Sequence, residues 1–223
     1  MPKKNITIPP KDEKLAEFVG IMLGDGNIYS RADKGIFQIK ITSNSFTDRD
    51  FVINFIKPLI ENLFKLKVSV SFDKGRQGMN LRVASVDLVA FLSSLGLISG
   101  DKIKNKVTIP PWIKVDNNLL ISCIRGLIDT DGTVFRTSKT SNRWVIGFKN
   151  NNRILLEDVR NGLIDLGFHP TKIITNAIFI ARKNEIGLFI EKINFSNSKH
   201  RMKLIAPYSP VERINLAESS GQG

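Results

Sequence analysis

Apolar residues recur along the chain either at the spacing of a helix or at every second position. Segments with these two patterns follow one another in the same order in each half of the chain. Helical spacing predicts helices and period-two alternation predicts strands. In the first half these patterns predict a helix, a hairpin turning near 33–35, a helix, two short strands and a closing helix, at 15–23, 37–42, 50–64, 67–72, 80–84 and 86–95. In the second half they predict the same order, at 119–128, 133–137, 143–149, 153–166, 172–175, 177–181 and 185–193.

This order predicts an α+β fold of two pseudo-symmetric αββαββα subdomains. Antiparallel sheets commonly cover one face with helices and leave the other open, so we expect two half-open sheets about a pseudo-twofold axis. The predicted units are an N-terminal subdomain, a linker, a C-terminal subdomain and a tail, at 12–100, 101–118, 119–205 and 206–223. Pro110 and Pro111 should keep the linker extended rather than helical.

A short motif is repeated at the start of the two halves. Leu15–Gly26 and Ile121–Gly132 match in type and order, and Gly20 and Gly126 occupy equivalent positions 106 residues apart. Glycine inside a helix costs about 1 kcal/mol relative to alanine. Because both helices contain this destabilising residue at the same place, we expect them to pack with their backbones in close contact at these glycines.

Each repeated helix ends in an Asp-Gly pair, at Asp25 and Asp131. A carboxylate at a helix C-terminus is disfavoured by the helix dipole, so its recurrence at equivalent positions suggests a function. Side by side, the two carboxylates need a cation between them, and oxygen ligands select a hard ion such as Mg²⁺, with Ca²⁺ or Mn²⁺ at the same sites. The carbonyls of Gly24 and Thr130 are expected as further ligands. Asp129 is excluded, because it should point to another side of its helix.

Composition favours a polyanionic partner. The formal net charge is +12, from 33 Lys and Arg against 21 Asp and Glu. Such an excess attracts nucleic acid more readily than a membrane, since no apolar run spans a bilayer. The single cysteine and two isolated histidines make a disulfide impossible and a zinc site improbable. The N-terminus lacks a secretory pattern, which predicts an intracellular protein, in the cytoplasm of a microbe or an organelle of a eukaryote.

The segments Phe18–Gly26 and Ile124–Gly132 resemble the nine-residue LAGLIDADG motif of homing endonucleases, and the matching pattern covers about residues 12–205. The resemblance implies a monomeric, two-motif, single-chain member. It implies that Asp25 and Asp131 bind metal and cut both strands of double-stranded DNA, that the sheets form a saddle over the major groove, and that a long pseudo-palindromic target is left with short 3′ overhangs. Intein splicing residues are absent, so a free-standing protein is expected.

The resemblance also defines a supporting set around the aspartates. A glutamine often lies at the end of the second strand, where this chain has Ser43 and Asn150. A basic residue is usual nearby, but its position falls on Ala84 and Ala181, so the neighbouring Arg82 and Arg182 are the candidate substitutes.

The alternation of apolar and polar residues along the predicted strands indicates DNA-contacting residues independently of the resemblance. Side chains on the polar strand faces can read base edges, and basic residues in turns suit phosphates. The candidates are Arg31, Lys34, Gln38, Lys40, Thr42, Ser43, Lys74, Arg76, Arg82, Arg136, Lys139, Arg143, Lys149, Asn150 and Arg182.

Three alternatives stay open from the sequence. An intron-RNA-binding maturase of the same family could act with or without cutting. A non-cutting DNA-binding regulator would be expected to lose the acidic pair, which this chain retains. A soluble repeat domain without a nucleic-acid role is the third.

Overall fold

The structure is a computed structural model that describes residues 6–73, 75–138, 141 and 143–208. Its helices are α1 Glu13–Leu23, α2 Lys57–Phe64, α3 Val86–Ser94, α4 Pro111–Lys114, α5 Asn117–Asp131, α6 Arg153–Asp165, α7 Lys183–Lys192 and α8 Ser198–Tyr208. Its strands are β1 Gly26–Arg31, β2 Ile36–Asn44, β3 Ser69–Phe72, β4 Gly78–Ala84, β5 Gly132–Arg136, β6 Trp144–Lys149 and β7 Ala177–Ile180.

Short polar side chains start the main helices. Asp12, Ser85, Asp116 and Asn152 each accept a hydrogen bond from a backbone N–H in the first turn of α1, α3, α5 and α6. These bonds satisfy donors that a helix start otherwise leaves free. The first turns of the two motif helices are therefore fixed in the same way.

Helices α1 and α5 pack backbone to backbone. A Cβ built on Gly20 would lie 2.1 Å from the carbonyl oxygen of Cys123, and one on Gly126 would lie 2.3 Å from the carbonyl oxygen of Glu17. No side chain fits at either place, which explains why both helices carry glycine there. The contact lies at the centre of the molecule, and one buried apolar cluster runs through both halves.

Two antiparallel sheets flank the helix pair, as the α+β prediction requires. The first has the strand order β1-β2-β4-β3 and the second β5-β6-β7. The register places Asn27 opposite Lys40 and Lys40 opposite Arg82, so these three side chains share a face. In the second sheet the equivalent row is Thr133, Gly147 and Phe179. None of the helices among the described residues is long and apolar enough to span a membrane.

The prediction of a strand at 172–175 is wrong, and the second sheet has three strands where the first has four. Residues 171–174 follow the edge of β7, but Phe179 N donates to the side-chain Oγ1 of Thr171 instead of to a backbone carbonyl. Only an isolated bridge joins Ile174 to Ala177, across a turn in which Thr175 and Asn176 have positive φ. A side chain that replaces a ladder carbonyl ends the regular strand.

Three further sequence predictions need correction. The linker is not extended throughout, because Pro111 begins the short helix α4, where its missing N–H costs nothing. The helix predicted at 50–64 starts as a π-helix at Phe51–Ile56 before α2. Residues 198–208, partly assigned to the tail, form α8, whose Lys203 Nζ donates to Val134 O in β5. The rest of the predicted tail lies outside the described residues.

Candidate metal site and nucleic-acid interface

The two motif aspartates lie together at one end of the helix pair. Asp25 follows the C-cap Gly24 of α1, and Asp131 is the last residue of α5. A Cβ on Gly24 would lie 2.0 Å from Thr130 Oγ1 and 3.6 Å from Asp131 Oδ2. Because the glycine contact holds the helices this close, the two carboxylates emerge beside each other between the sheets.

One polar side chain from the end of each second strand contacts each aspartate. Asn150 Nδ2 donates to Asp131 Oδ2 over 2.8 Å, and Ser43 Oγ lies 3.4 Å from Asp25 Oδ2. These are the two positions at which the resemblance placed the supporting polar residue. The Asn150 amide orients its carboxylate through a short bond, whereas the Ser43 contact is at the limit of a hydrogen bond.

The basic residue of the site is Lys102, which was not predicted from the sequence. Its Nζ donates to the carbonyl oxygens of Met22 at 3.1 Å and Leu23 at 2.9 Å, and to that of Gly24. Helix α1 has no basic residue in its last turn, so this ammonium satisfies its terminal carbonyls. The Gly24 carbonyl, which the sequence predicts as a metal ligand, accepts a hydrogen bond from Lys102.

The predicted substitutes, Arg82 and Arg182, lie at other places in the fold. Arg182 precedes α7 and pairs with Glu185 at 3.4 Å. Arg82 lies on the open face of the first sheet opposite Lys40. Asp129 is turned away from the site, as expected, and its Oδ2 accepts a hydrogen bond from Ser196 N over 2.8 Å.

An ion pair between Lys199 and Asp48 lies on the Asp25 side of the site. Lys199 Nζ lies 2.6 Å from Asp48 Oδ1, and Asn197 Nδ2 donates to the same oxygen over 3.0 Å. The negative charge of Asp48 raises the pKa of Asp25. The two ammonium groups thus differ in their partners: Lys102 lies on the carbonyl groups at the end of α1, and Lys199 is neutralised by Asp48.

Burial dominates the electrostatics of the pair. It raises the pKa of Asp25 to about 7, with further increases from the charges of Asp131 and Asp48, while Lys102 opposes the change. Burial also raises the pKa of Asp131, against the charge of Lys102 and the Asn150 hydrogen bond. Desolvation lowers the pKa of Lys102, which the two aspartates oppose. One ammonium therefore does not compensate two buried carboxylates.

These observations fit a divalent cation. The aspartates present oxygen ligands whose charge the surrounding protein leaves under-compensated, and a cavity of about 380 Å³ opens beside Asp131, lined by Lys102, Lys149 and Asn150 among others. In the described part of the chain no group of three or more His, Cys, Asp or Glu side chains could hold a metal ion. The acidic groups available at the helix ends are Asp25 and Asp131, and carbonyls, water or substrate would have to complete the coordination of an ion there.

The other predicted DNA-contacting residues are spread over the open faces and the hairpin ends. Gln38, Lys40 and Thr42 share the open face of the first sheet, and Lys149 lies on that of the second. Exposed basic side chains mark the hairpin ends or nearby loops, at Arg31, Lys34, Arg76, Arg136 and Arg143. Arg31 pairs with Asp33 at 2.9 Å, and the Arg136 guanidinium lies 4.7 Å from the centre of the Trp144 ring. Lys74 and Lys139 lie outside the described residues.

Similarity to known proteins extends over most of the chain. Residues 118–194 match the family model described as a LAGLIDADG-like domain, and no curated protein matches the chain. A solved structure of mesophilic variants of the homing endonuclease I-DmoI is similar at a TM-score of 0.57 and 22% identity, covering 82% of this chain and 95% of that one. An I-DmoI complex with DNA and Mn is similar at 0.54 and 24%, over 82% and 96%.

Full-length WhiA from Thermotoga maritima is also similar, at a TM-score of 0.54 and 15% identity, covering 97% of this chain and 69% of that one. The fold is thus that of LAGLIDADG homing endonucleases, and WhiA has it too. The resemblance read from the two Asp-Gly motifs is confirmed by the match of residues 118–194 to the LAGLIDADG-like domain model and by the fold.

Proposed function

We propose that this chain is a site-specific, metal-dependent DNA endonuclease of the homing type. The observation that carries the proposal is the emergence of Asp25 and Asp131 side by side at the ends of two helices in backbone contact. The fold alone does not select cutting, because it also occurs in WhiA. The retained acidic pair favours cutting over a DNA-binding regulator.

The partner in this proposal is double-stranded DNA with a long, pseudo-palindromic sequence. Two antiparallel sheets with open faces flank the aspartates, and a β-ribbon fits the major groove. The net charge of +12 would attract the phosphate backbone and make binding strongly salt-dependent. The similar I-DmoI structures include complexes with DNA and Mn, Ca or Mg, which supports both DNA and a divalent ion as ligands.

Asp25 and Asp131 would hold the ion, Mg²⁺ in the cell, with Ca²⁺ or Mn²⁺ at the same place. When bound, such an ion activates water and stabilises the charge that develops on the phosphate and the leaving oxygen. Asn150 keeps one Asp131 oxygen in a fixed direction, and Lys102 sets the end of α1 and brings positive charge to the site. Phosphodiester hydrolysis at paired positions on the two strands would leave short 3′ overhangs.

The test is cleavage of a library of duplex DNA sites with Mg²⁺ by the parent chain and by Asp25→Asn and Asp131→Asn. Both substitutions keep size and remove a metal-binding charge, so cleavage should be lost while duplex binding in Ca²⁺-free buffer is kept. Asp165→Asn makes the same chemical change on the exposed surface of α6 and should cut like the parent. Undiminished cleavage in both active-site variants would falsify the assignment.

A further inference from the structure

The open faces of the two sheets are chemically different at equivalent positions. In the first sheet Gln38, Lys40 and Arg82 occupy neighbouring places on β2 and β4. The positions that correspond by register in the second sheet are Val145, Gly147 and Phe179. Three side chains with hydrogen-bond donors are thus replaced by groups that have none.

The second open face is built around Phe179. A Cβ on Gly147 would lie 3.0 Å from two ring atoms of Phe179 and 3.1 Å from Cγ2 of Thr133. The ring therefore lies across the strand at the one place where β6 has no side chain. Phe135 stands against it at a centroid distance of 6.3 Å with the rings nearly perpendicular.

This apolar patch, formed by Phe135, Val145, Gly147 and Phe179, is accessible. Phe135 is 39% exposed and Phe179 is half-buried. Val145 is buried, yet it lies outside the main hydrophobic cluster, as expected for a residue covered on the open face. Exposed apolar patches that are rimmed by polar residues are typical of interaction surfaces.

The surroundings of the patch point to duplex DNA as that ligand. Lys149 lies on the same face, and the next residue, Asn150, contacts Asp131. Exposed Arg143 and Arg136 lie at the hairpin end, so basic groups flank the patch on two sides. The patch is therefore continuous with the candidate catalytic site and bordered by phosphate-binding charges. Within the major groove, the apolar group available to such a surface is the C5-methyl of thymine.

We propose that the second subdomain recognises its half-site mainly by apolar contact of Phe135 and Phe179 with thymine methyl groups, whereas the first subdomain reads its half-site by hydrogen bonds from Gln38, Lys40 and Arg82. This inference rests on the proposed DNA-binding function and adds to it a T·A-rich half-site on one side. The pseudo-twofold axis of the protein is then not matched by equal chemistry in the two halves of the target.

The experiment starts from a randomised duplex library selected for binding in Ca²⁺, and then replaces thymine by uracil, which lacks only the methyl group, in one half-site at a time. Uracil in the second half-site should weaken binding roughly fourfold for each contacted methyl, and uracil in the first half-site should not. Phe135→Ser and Phe179→Ala should abolish the effect of uracil. Tyr29→Ser, at the position equivalent to Phe135, should leave it unchanged.

The possible results of this experiment distinguish failure of the proposed function from failure of the inference. Failure to bind any duplex overturns the proposed function itself. Binding to a selected duplex without T·A enrichment, or without any uracil effect, overturns only the inference. A preference of the parent chain for single-stranded oligonucleotides over the selected duplex would also overturn it, because the patch would then stack on unpaired bases. If Phe179→Ala does not fold, Phe135→Ser alone decides, since Phe135 is the more exposed of the two rings.

Discussion

Lys199 Nζ and Asp48 Oδ1 are 2.6 Å apart, so the ammonium on the Asp25 side of the site is neutralised by a carboxylate. Asp48→Asn should release Lys199 for a DNA phosphate. The plot of log affinity against log salt should then become steeper by about one, the increment for one additional phosphate contact. Salt titrations of duplex binding in Ca²⁺ measure this slope.

Two controls isolate the release of Lys199 from the simple loss of a negative charge. Asp165→Asn removes a negative charge on the exposed surface of α6, so the slope should change less. Asp48→Asn combined with Lys199→Met should return the slope to that of the parent. An unchanged slope in Asp48→Asn would contradict the prediction.

Lys102 should be required for cleavage at the site. Lys102→Met removes the donor to the α1 carbonyls and a positive charge that lowers the pKa of both aspartates. Removal of one preorganised donor commonly reduces kcat by about 10²–10³-fold, and we expect a loss of that order. Single-turnover cleavage at saturating Mg²⁺ measures it. Lys104→Met, an exposed lysine in the same segment, should cut at the parental rate, and an equal loss there would argue against a special role for Lys102.

Glycine-to-alanine substitutions should have opposite effects on stability at Gly20, inside the contact between the motif helices, and at Gly187, outside it. Gly20→Ala places a methyl group 2.1 Å from Cys123 O and should reduce the free energy of unfolding by about 1–3 kcal/mol, with loss of cleavage as the helices separate. Gly187→Ala in α7 meets no atom within 4 Å and should stabilise by up to about 1 kcal/mol. Urea unfolding of both variants tests this, and a Gly20→Ala chain as stable as the parent would refute the close contact.

His200 should make the fold sensitive to acid. Burial lowers its pKa to about 4 from an ordinary 6.5, with help from the charges of Lys199 and Lys203. The unfolded chain therefore binds the proton more tightly than the folded chain. The contribution of His200 to the free energy of unfolding is fully present above about pH 6.5. It decreases as the pH falls and is lost below about pH 4, and the total loss is about 3 kcal/mol.

The comparison of His200→Phe with the parent between pH 7 and 4 measures that contribution. The imidazole already packs against the Phe195 ring at 5.6 Å, so phenylalanine suits the site. The free energy of unfolding of this variant should fall less steeply with acid. Equal slopes in the parent and His200→Phe would exclude His200 as the cause.

Features with local causes were predictable from the sequence. The repeated Asp-Gly pairs predicted the helix ends, and alternation predicted that Gln38 and Lys40 lie on one face of their strand. Contacts between distant segments were not predictable. Lys102 reaches α1 across 78 residues of chain from a segment that resembles a linker, although a helix end without its own basic residue was a signal that some donor must reach it.

The strand predicted at 172–175 is absent for a local reason that the residue types of this segment do not reveal. Residues 171–175 are rich in β-branched side chains, which favour strands. The hydroxyl of Thr171 nevertheless takes the bond that a strand carbonyl would accept. The apolar character of the second open face could be read from Val145 and Gly147, but Phe179 joins it only through the pairing of β6 with β7.

The contact between Gly20 and Gly126 is made by main-chain atoms, so it carries almost no side-chain information. The Arg125–Glu17 ion pair, at 3.1 Å, is a side-chain contact between the same two helices. The distance between the ends of the helices, and so between the two acids that follow them, is therefore set by the backbone at this crossing, whatever side chains the two sheets carry.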